Sequence, residues 1–158
     1  MSRLPSLGPR GEGWVIAQSV LFWFIAATGA LGPSWSGPVR GVTSVVGAIL
    51  IAAGAVQAVR GVRDLRHAFT PLPRPRDGAE LVETGVYARV RHPIYGGIIA
   101  VAFGWGLLAA SPVTVALALV LAGLFYLKSR REEAWLVTRY PGYAAYRTRT
   151  RRLIPWIG

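Results

Sequence analysis

The sequence contains no cysteine, and only seven Asp and Glu residues stand against 18 Lys and Arg. Without cysteine the chain has no disulfide, no thiolate metal site and no cysteine nucleophile. Its histidines, His67 and His92, lack paired ligand spacing, and the chain carries no Walker loop, GxGxxG or HExxH motif. These absences argue against nucleotide hydrolysis, a Rossmann-type cofactor site and a metal centre.

Hydrophobic residues are abundant, at 53% of the 158 positions. A soluble protein of this size could not hide so much apolar surface in its core, so the composition predicts an integral membrane protein. The first apolar run follows two arginines and lacks a convincing small-residue cleavage site, which favours a retained span over a signal peptide. We expect an all-α fold with a single domain over residues 1–158.

The apolar segments predict four transmembrane helices. Residues 93–127 are 35 uncharged residues, too many for one helix, and Ser111 and Pro112 near their middle indicate a tight turn. In the second run, Gly47 and Gly54 lie seven residues apart on one face, where a neighbouring helix can approach closely. We expect the last helix to continue to about Tyr140. The predicted spans are about residues 14–31, 41–59, 94–110 and 113–127.

The basic residues are distributed unevenly between the connections. The N-terminal segment, residues 60–91 and the tail from residue 128 hold 17 of the 18 Lys and Arg. With four spans these three segments share one side, which the positive-inside rule places in the cytoplasm, with the chain in the inner membrane of the cell. A net charge of +11 also suits nucleic acid, but because the charges lie only between apolar runs it indicates anionic membrane lipids as partners and no nucleic acid.

The first candidate constellation surrounds the start of the third span. Pro93 at the first helical position puts Arg91 and His92 at a helix N-terminus, where unpaired backbone N–H groups favour an anion such as a carboxylate or phosphate. Tyr87 and Tyr95 flank the same place. The alternative is that the arginine and tyrosines are ordinary interface anchors, a role that does not account for the histidine.

Two further groups lie in the C-terminal part. Glu132 and Glu133 are adjacent and follow the last span, so they either pair with neighbouring basic residues such as Lys128 or face two different functional partners. The tail interleaves tyrosines with arginines, a composition that suits an interfacial helix and would equally stack on adenine. We expect a short helix at about residues 143–149; the aromatic and basic residues of interest there are Tyr143, Tyr146, Arg149 and Arg152.

Taken together, these segments resemble the isoprenylcysteine carboxyl methyltransferase family, which includes phospholipid methyltransferase-like membrane enzymes. The resemblance lies in GVYARVRHPIYGG at 85–97, EEAWL at 132–136, YPGYAAY at 140–146 and RLIP at 152–155, and it covers about residues 80–156. The family more often has glycine directly after the aromatic residue where this chain has Pro141 and Gly142. The first two spans match in hydrophobicity alone.

The resemblance implies an enzyme that transfers a methyl group from S-adenosyl-L-methionine to a lipophilic or membrane-embedded acceptor. Phospholipid amine methylation and a non-enzymatic scaffold that binds anionic lipid are the alternatives, and a sterol-reductase-like enzyme is a more remote one. The sequence does not set the oligomeric state. The implied cofactor-binding residues are Tyr87, Arg91, His92, Pro93, Tyr95, Gly96, Glu132, Tyr143 and Tyr146, and the implied catalytic residues are Glu133, Arg149 and Arg152.

Overall fold

The structure is a computed structural model that describes residue 5, residues 7–74 and residues 78–154. Its described residues form helices and no strand, with one isolated parallel bridge between Val90 and Arg151, so the expected all-α class is confirmed. Short 3-10 turns occupy Arg66–Ala68 and Gly85–Ala88. The α-helices are α1 Glu12–Leu31, α2 Val39–Leu65, α3 Pro93–Leu108, α4 Pro112–Arg139 and α5 Tyr143–Arg149.

Three of these helices, α1, α2 and α4, are long and apolar enough to cross a membrane. The remaining apolar helix, α3, has 16 residues. Large apolar side chains of α1, α2 and α4 point outward, as Trp23, Ile49 and Leu119 do. An exposed apolar surface of this extent is typical of helices that contact lipid rather than water. The described part of the chain therefore has the form of an integral membrane protein.

A row of glycines brings α2 and α3 into close contact. A Cβ on Gly54 would lie 2.5 Å from the carbonyl oxygen of Gly97, and a Cβ on Gly47 would lie 2.6 Å from that of Gly104. Since the pairs run in opposite directions along the two helices, α2 and α3 are antiparallel. Gly61, seven residues after Gly54, continues the buried row. The sequence pattern indicated Gly47 and Gly54 of this row but not Gly61.

A tight turn joins α3 to α4, as Ser111 and Pro112 predicted. The Ser111 hydroxyl caps α4 by accepting a hydrogen bond from the backbone N–H of Thr114 at 3.3 Å, and Pro112 occupies the first turn, where a missing N–H costs no hydrogen bond. The hydroxyls of Thr114 and Thr28 lie 2.9 Å apart, which connects α4 to α1. The hydrophobic core of the bundle includes Phe125 of α4. The helix α4 continues past the apolar run to Arg139.

Gly54→Ala is expected to lower the thermal unfolding midpoint of the detergent-solubilised protein, followed by tryptophan fluorescence. The added methyl group meets the backbone of α3, which cannot move without separating the helices, and overpacking of this kind costs roughly 1–3 kcal/mol. Gly41→Ala on the same helix is the matched control, because a Cβ there meets nothing within 4 Å. Equal midpoints for the two variants would contradict close packing of α2 on α3.

Candidate functional site

The C-terminal tail lies alongside the residues that precede α3. The backbone N–H of Arg91 donates to the carbonyl of Arg151 at 2.8 Å, and that of His92 donates to the carbonyl of Arg152 at 2.9 Å. The backbone N–H of Arg151 donates to the carbonyl of Arg89 at 2.9 Å. The backbone N–H groups of Arg91 and His92 are therefore bonded to the tail, and the anion site at this helix start stays a prediction.

A buried carboxylate, Glu133, joins α4 to this junction. Its side chain accepts from Arg91 Nε at 2.8 Å and from Arg152 Nη2 at 3.2 Å, and it lies 3.3 Å from His92 Nε2. Glu133 is 2% exposed. A charge so deeply buried is tolerated only when it is paired and hydrogen-bonded. The cluster therefore holds the start of α3, the end of α4 and the tail together.

The Arg91 side chain also bonds the C-terminal end of α5 at this junction. Its guanidinium donates to the carbonyls of Arg147 and Thr150 at the end of α5, in addition to its bond with Glu133. The planar guanidinium offers five donors in a fixed fork, which suits several acceptors at once. Arg91 is therefore more than a membrane-interface anchor, because it fixes the tail to the helix bundle.

The neighbouring Glu132 faces a different partner set. It accepts a hydrogen bond from the Tyr95 hydroxyl at 2.9 Å, and its carboxylate lies 3.6 Å from His92 Nδ1. The rings of His92 and Tyr95 are stacked at a centroid distance of 5.4 Å, and Tyr95 stacks on Phe125 at 4.7 Å. Glu132 and Glu133 therefore bond different residues, Tyr95 and Arg91 respectively, and both lie close to the His92 imidazole.

Glu132 lines a cavity of about 1010 Å³, counting its open mouth. The space that a water-sized molecule reaches inside it is smaller, about 170 Å³. Its walls come from α1, α3, α4, α5 and the connection between α2 and α3. The polar side chains in the wall include Gln18, Tyr87, Arg91, His92, Tyr95, Lys128, Glu132, Tyr140, Tyr143 and Tyr146.

Three buried tyrosines form the side of the cavity nearest the tail. Tyr146 donates to the carbonyl of Tyr87 at 2.7 Å, and Tyr87 donates to the carbonyl of Gly61 at 3.3 Å. The Tyr143 hydroxyl has no hydrogen-bond partner among the described residues although its side chain is buried. Burial raises the pKa of Tyr87 and Tyr143 well above the usual range and that of Tyr146 to about 12. All three phenols are therefore neutral at neutral pH, and the Tyr143 hydroxyl is left to donate to a ligand.

Other candidate residues lie outside the cavity wall. Arg149 is largely exposed and pairs with Glu83 at 2.6 Å. A Cβ on Gly96 would meet the carbonyl oxygen of Leu153, so the missing side chain here admits the tail. Pro93 and Glu133 are buried in the helix junction. Arg152 reaches the cluster through Glu133.

Several residues of the cavity wall were not predicted from the sequence, among them Lys128 and Gln18. Lys128 was considered as a pairing partner for Glu132, yet its ammonium bonds Gln18 of α1 at 2.6 Å. The available signals were composition and position, because Lys128 is the one lysine among 18 Lys and Arg, and Gln18 is an amide inside the first apolar run. Polar side chains within membrane helices usually face a cavity or a partner.

Glu133→Gln is expected to release the tail, seen as faster trypsin cleavage at the arginines of residues 147–152 in detergent-solubilised protein. An amide cannot neutralise Arg91 and Arg152, and removing one partner of a buried ion pair costs roughly 3–5 kcal/mol. Glu83→Gln is the control, since it breaks the exposed pair with Arg149 and keeps every tryptic site. Cleavage at the same rate in both variants would contradict the anchoring role of Glu133.

Comparisons with known proteins found a similar fold and a matching family model. The fold is similar to that of the eukaryotic intramembrane Ras methyltransferase, isoprenylcysteine carboxyl methyltransferase, with a TM-score of 0.64 at 21% identity over 96% of this chain. The chain spans 55% of the length of that protein. No curated protein matches the sequence. A family model of phospholipid methyltransferases matches residues 42–142, which run from α2 to the turn before α5. Since this match covers more than half of the chain, the protein belongs to the phospholipid methyltransferase family.

Proposed function

We propose that the protein transfers the methyl group of S-adenosyl-L-methionine to a lipophilic acceptor that reaches the site from the bilayer. The observation that carries this proposal is the cavity itself. Its polar wall, with Glu132, His92 and Tyr143, meets an apolar wall formed by side chains such as Ile98 and Phe125 of the bundle. A water-soluble cofactor and a lipophilic acceptor require these two environments to meet in one site.

The residues of the cavity fit the cofactor. S-adenosyl-L-methionine carries an ammonium and a sulfonium, which a carboxylate such as Glu132 attracts. The unpartnered Tyr143 hydroxyl offers a donor, and the rings of Phe69 and Tyr140 offer faces for a planar base. The cofactor would supply an electrophilic methyl group on sulfur. Glu132 and Tyr143 are therefore the residues that we assign to holding it, with Tyr95 orienting Glu132 through its hydroxyl.

The chain contributes mainly by positioning. When bound, the cofactor would supply its methyl group to the acceptor's lone pair, and the electron pair of the carbon–sulfur bond would stay on sulfur. Holding the reactants in line in a dry cavity supplies much of the acceleration of such a step. A carboxylate acceptor needs no base, whereas an amine needs a proton acceptor, a role open to Glu132 in the cavity wall. His92 places its ring nitrogens toward both glutamates, so its role is to orient these carboxylates.

Phospholipid amine methylation is the second candidate reaction. The family match favours it, because the family is described as one of phospholipid methyltransferases. Lipid mass spectra of cells with and without the gene separate the two reactions, since methylated ethanolamine headgroups accumulate only in the second case.

We also propose that all four apolar helices cross the inner membrane, with the N-terminus and the tail in the cytoplasm. The antiparallel glycine contacts between α2 and α3 support this arrangement, because they extend over 14 residues from Gly47 to Gly61 of a helix long enough to span. That distance is roughly 20 Å along the helix axis. The distribution of arginine then assigns the side.

Cysteine labelling tests this topology directly, because the chain contains no cysteine of its own. Ser36→Cys, in the exposed connection after α1, is expected to react with a membrane-impermeant maleimide on spheroplasts. Ala144→Cys, exposed on α5, is expected to react only after the membrane is permeabilised. The opposite pattern would invert the topology. Labelling of both sites on intact spheroplasts would show that α2, α3 and α4, which separate them, do not all cross the membrane.

Calorimetric titration with S-adenosylhomocysteine tests the cofactor assignment. We expect saturable binding that weakens roughly tenfold in Glu132→Gln, since a charge-assisted bond to the ammonium is lost, and weakens less in Tyr143→Phe. Glu83→Gln, outside the cluster, is the control and should bind as the unmodified protein does. Absence of saturable binding to the unmodified protein would reject the methyltransferase and favour a lipid-binding scaffold.

A further inference from the structure

The cavity wall contains a buried cation that the proposed mechanism does not use. Lys128 is 1% exposed, and its ammonium donates to Gln18 Oε1 at 2.6 Å and to the carbonyl of Pro71 at 2.9 Å. It is the single lysine of the chain. It thus joins α4 to α1 and to the connection that covers the cavity.

The hydrogen-bond partners of Lys128 are neutral. Among the described residues, an amide oxygen and a backbone carbonyl accept from it, and an ammonium has three donors. Glu132, one turn later on α4, attracts Lys128 through space but accepts its hydrogen bond from Tyr95. Burying a charge among neutral dipoles is costly, so an anion that entered the cavity would gain strongly by pairing with this ammonium.

Lys128 also marks a boundary between two environments. On its side toward the apolar run lie the rings of Tyr95 and Phe125, with centroids 5.1 and 5.8 Å from its Nζ atom. Ile98 continues the apolar wall. On its other side lies Glu132, which we assign to the cofactor. An amphiphile with its hydrocarbon part against Phe125 and Ile98 therefore brings its head group to Lys128.

We propose that Lys128 is a specificity-determining residue that binds an anionic oxygen of the acceptor's head group. This inference rests on the proposed function. On binding, the anion replaces Gln18 and the carbonyl of Pro71 as the partner of the ammonium. A neutral amide oxygen is a weaker acceptor for an ammonium than an anionic oxygen, so the exchange is favourable. Gln18 then acts as a resting partner that α1 contributes to the site.

Two acceptors carry such an oxygen. In a lipophilic carboxylic acid, the carboxylate bound by Lys128 is itself methylated: an oxygen–carbon bond forms, the carbon–sulfur bond breaks, and no proton moves. In an amino phospholipid, Lys128 binds the phosphate; the amine takes the methyl group and loses a proton to Glu132. In both reactions the electron pair of the broken bond remains on sulfur.

Binding measurements with matched probes test this role. We compare palmitate, hexadecanol and dihexanoyl phosphatidylethanolamine as ligands of the full chain in dodecyl maltoside, with S-adenosylhomocysteine present. We expect palmitate to bind at least about tenfold more tightly than hexadecanol, the factor expected from one charge-assisted bond. Lys128→Met should abolish this preference and Lys128→Arg should retain most of it. Arg130→Met, at an exposed cation of the same helix, is the control and should leave it unchanged.

The Gln18→Leu variant separates a binding role from a purely structural one. Removing the competing amide should tighten binding of the anionic probes, whereas a mere structural link between helices predicts lower stability and no gain in affinity. If the phosphatidylethanolamine probe alone depends on Lys128, the anion is a phosphate; if palmitate also depends on it, a carboxylate suffices.

The outcomes distinguish this inference from the function on which it rests. Equal affinity for palmitate and hexadecanol, together with phosphatidylethanolamine binding that Lys128→Met does not weaken, would overturn the role of Lys128. If S-adenosylhomocysteine still binds in that case, the cofactor assignment remains. Loss of S-adenosylhomocysteine binding by the unmodified protein rejects the proposed function instead. Unchanged S-adenosylhomocysteine affinity in Lys128→Met shows that this variant is folded.

Discussion

The buried charge of Glu133 is the constraint on which the arrangement of the site depends. An ionised carboxylate with 2% exposure requires compensation, and Arg91, His92 and Arg152 provide it from two different segments. Because these segments precede α3 and follow α5, the ion cluster determines where the tail lies. The backbone bonds that Arg151 makes with Arg89 and Arg91 then fix its register. With the tail in place, Tyr143 and Tyr146 close one side of the cavity.

The helix bundle sets the depth at which this cluster lies. Glycines of α2 and α3 allow backbone contact along the whole pair, so Pro93 and the residues before it are held beside Gly61 at the end of α2. The hairpin capped by Ser111 then returns α4 to the same end of the bundle. Glu132 and Glu133 follow the apolar run of α4 by a few residues, which places them at the level of His92. Packing of the apolar helices thereby brings these polar side chains together at one end of the bundle.

The positions of the polar residues in this geometry determine which of them line the cavity. Glu133 bonds Arg91 and Arg152 in the helix junction, whereas Glu132, Tyr143 and Lys128 line the cavity. The exposed pair between Arg149 and Glu83 belongs to neither group, since an ion pair in water contributes little.

Much of this protein was determined by the sequence alone. Long uncharged runs exist only where a chain contacts lipid or packs in a membrane, so the apolar helices and the membrane class were readable from composition. The turn at Ser111 and Pro112 and the short helix near Tyr143 also followed from local rules. The motifs of the C-terminal half, in their order along the chain, are by themselves enough to indicate the family.

Only the tertiary structure decided which candidate residues meet. Hydrogen bonds between residues 89–92 and 151–152 have no local signature, since they join segments about 60 positions apart. The position of the tail beside Arg91 and His92 was therefore not readable from the sequence. Likewise, the sequence did not distinguish Lys128 from other basic residues that follow a span. Its hydrogen bond with Gln18 depends on the packing of α1 against α4. Local sequence fixes the helices because their hydrogen bonds are local, whereas long-range pairing of buried charges fixes the site.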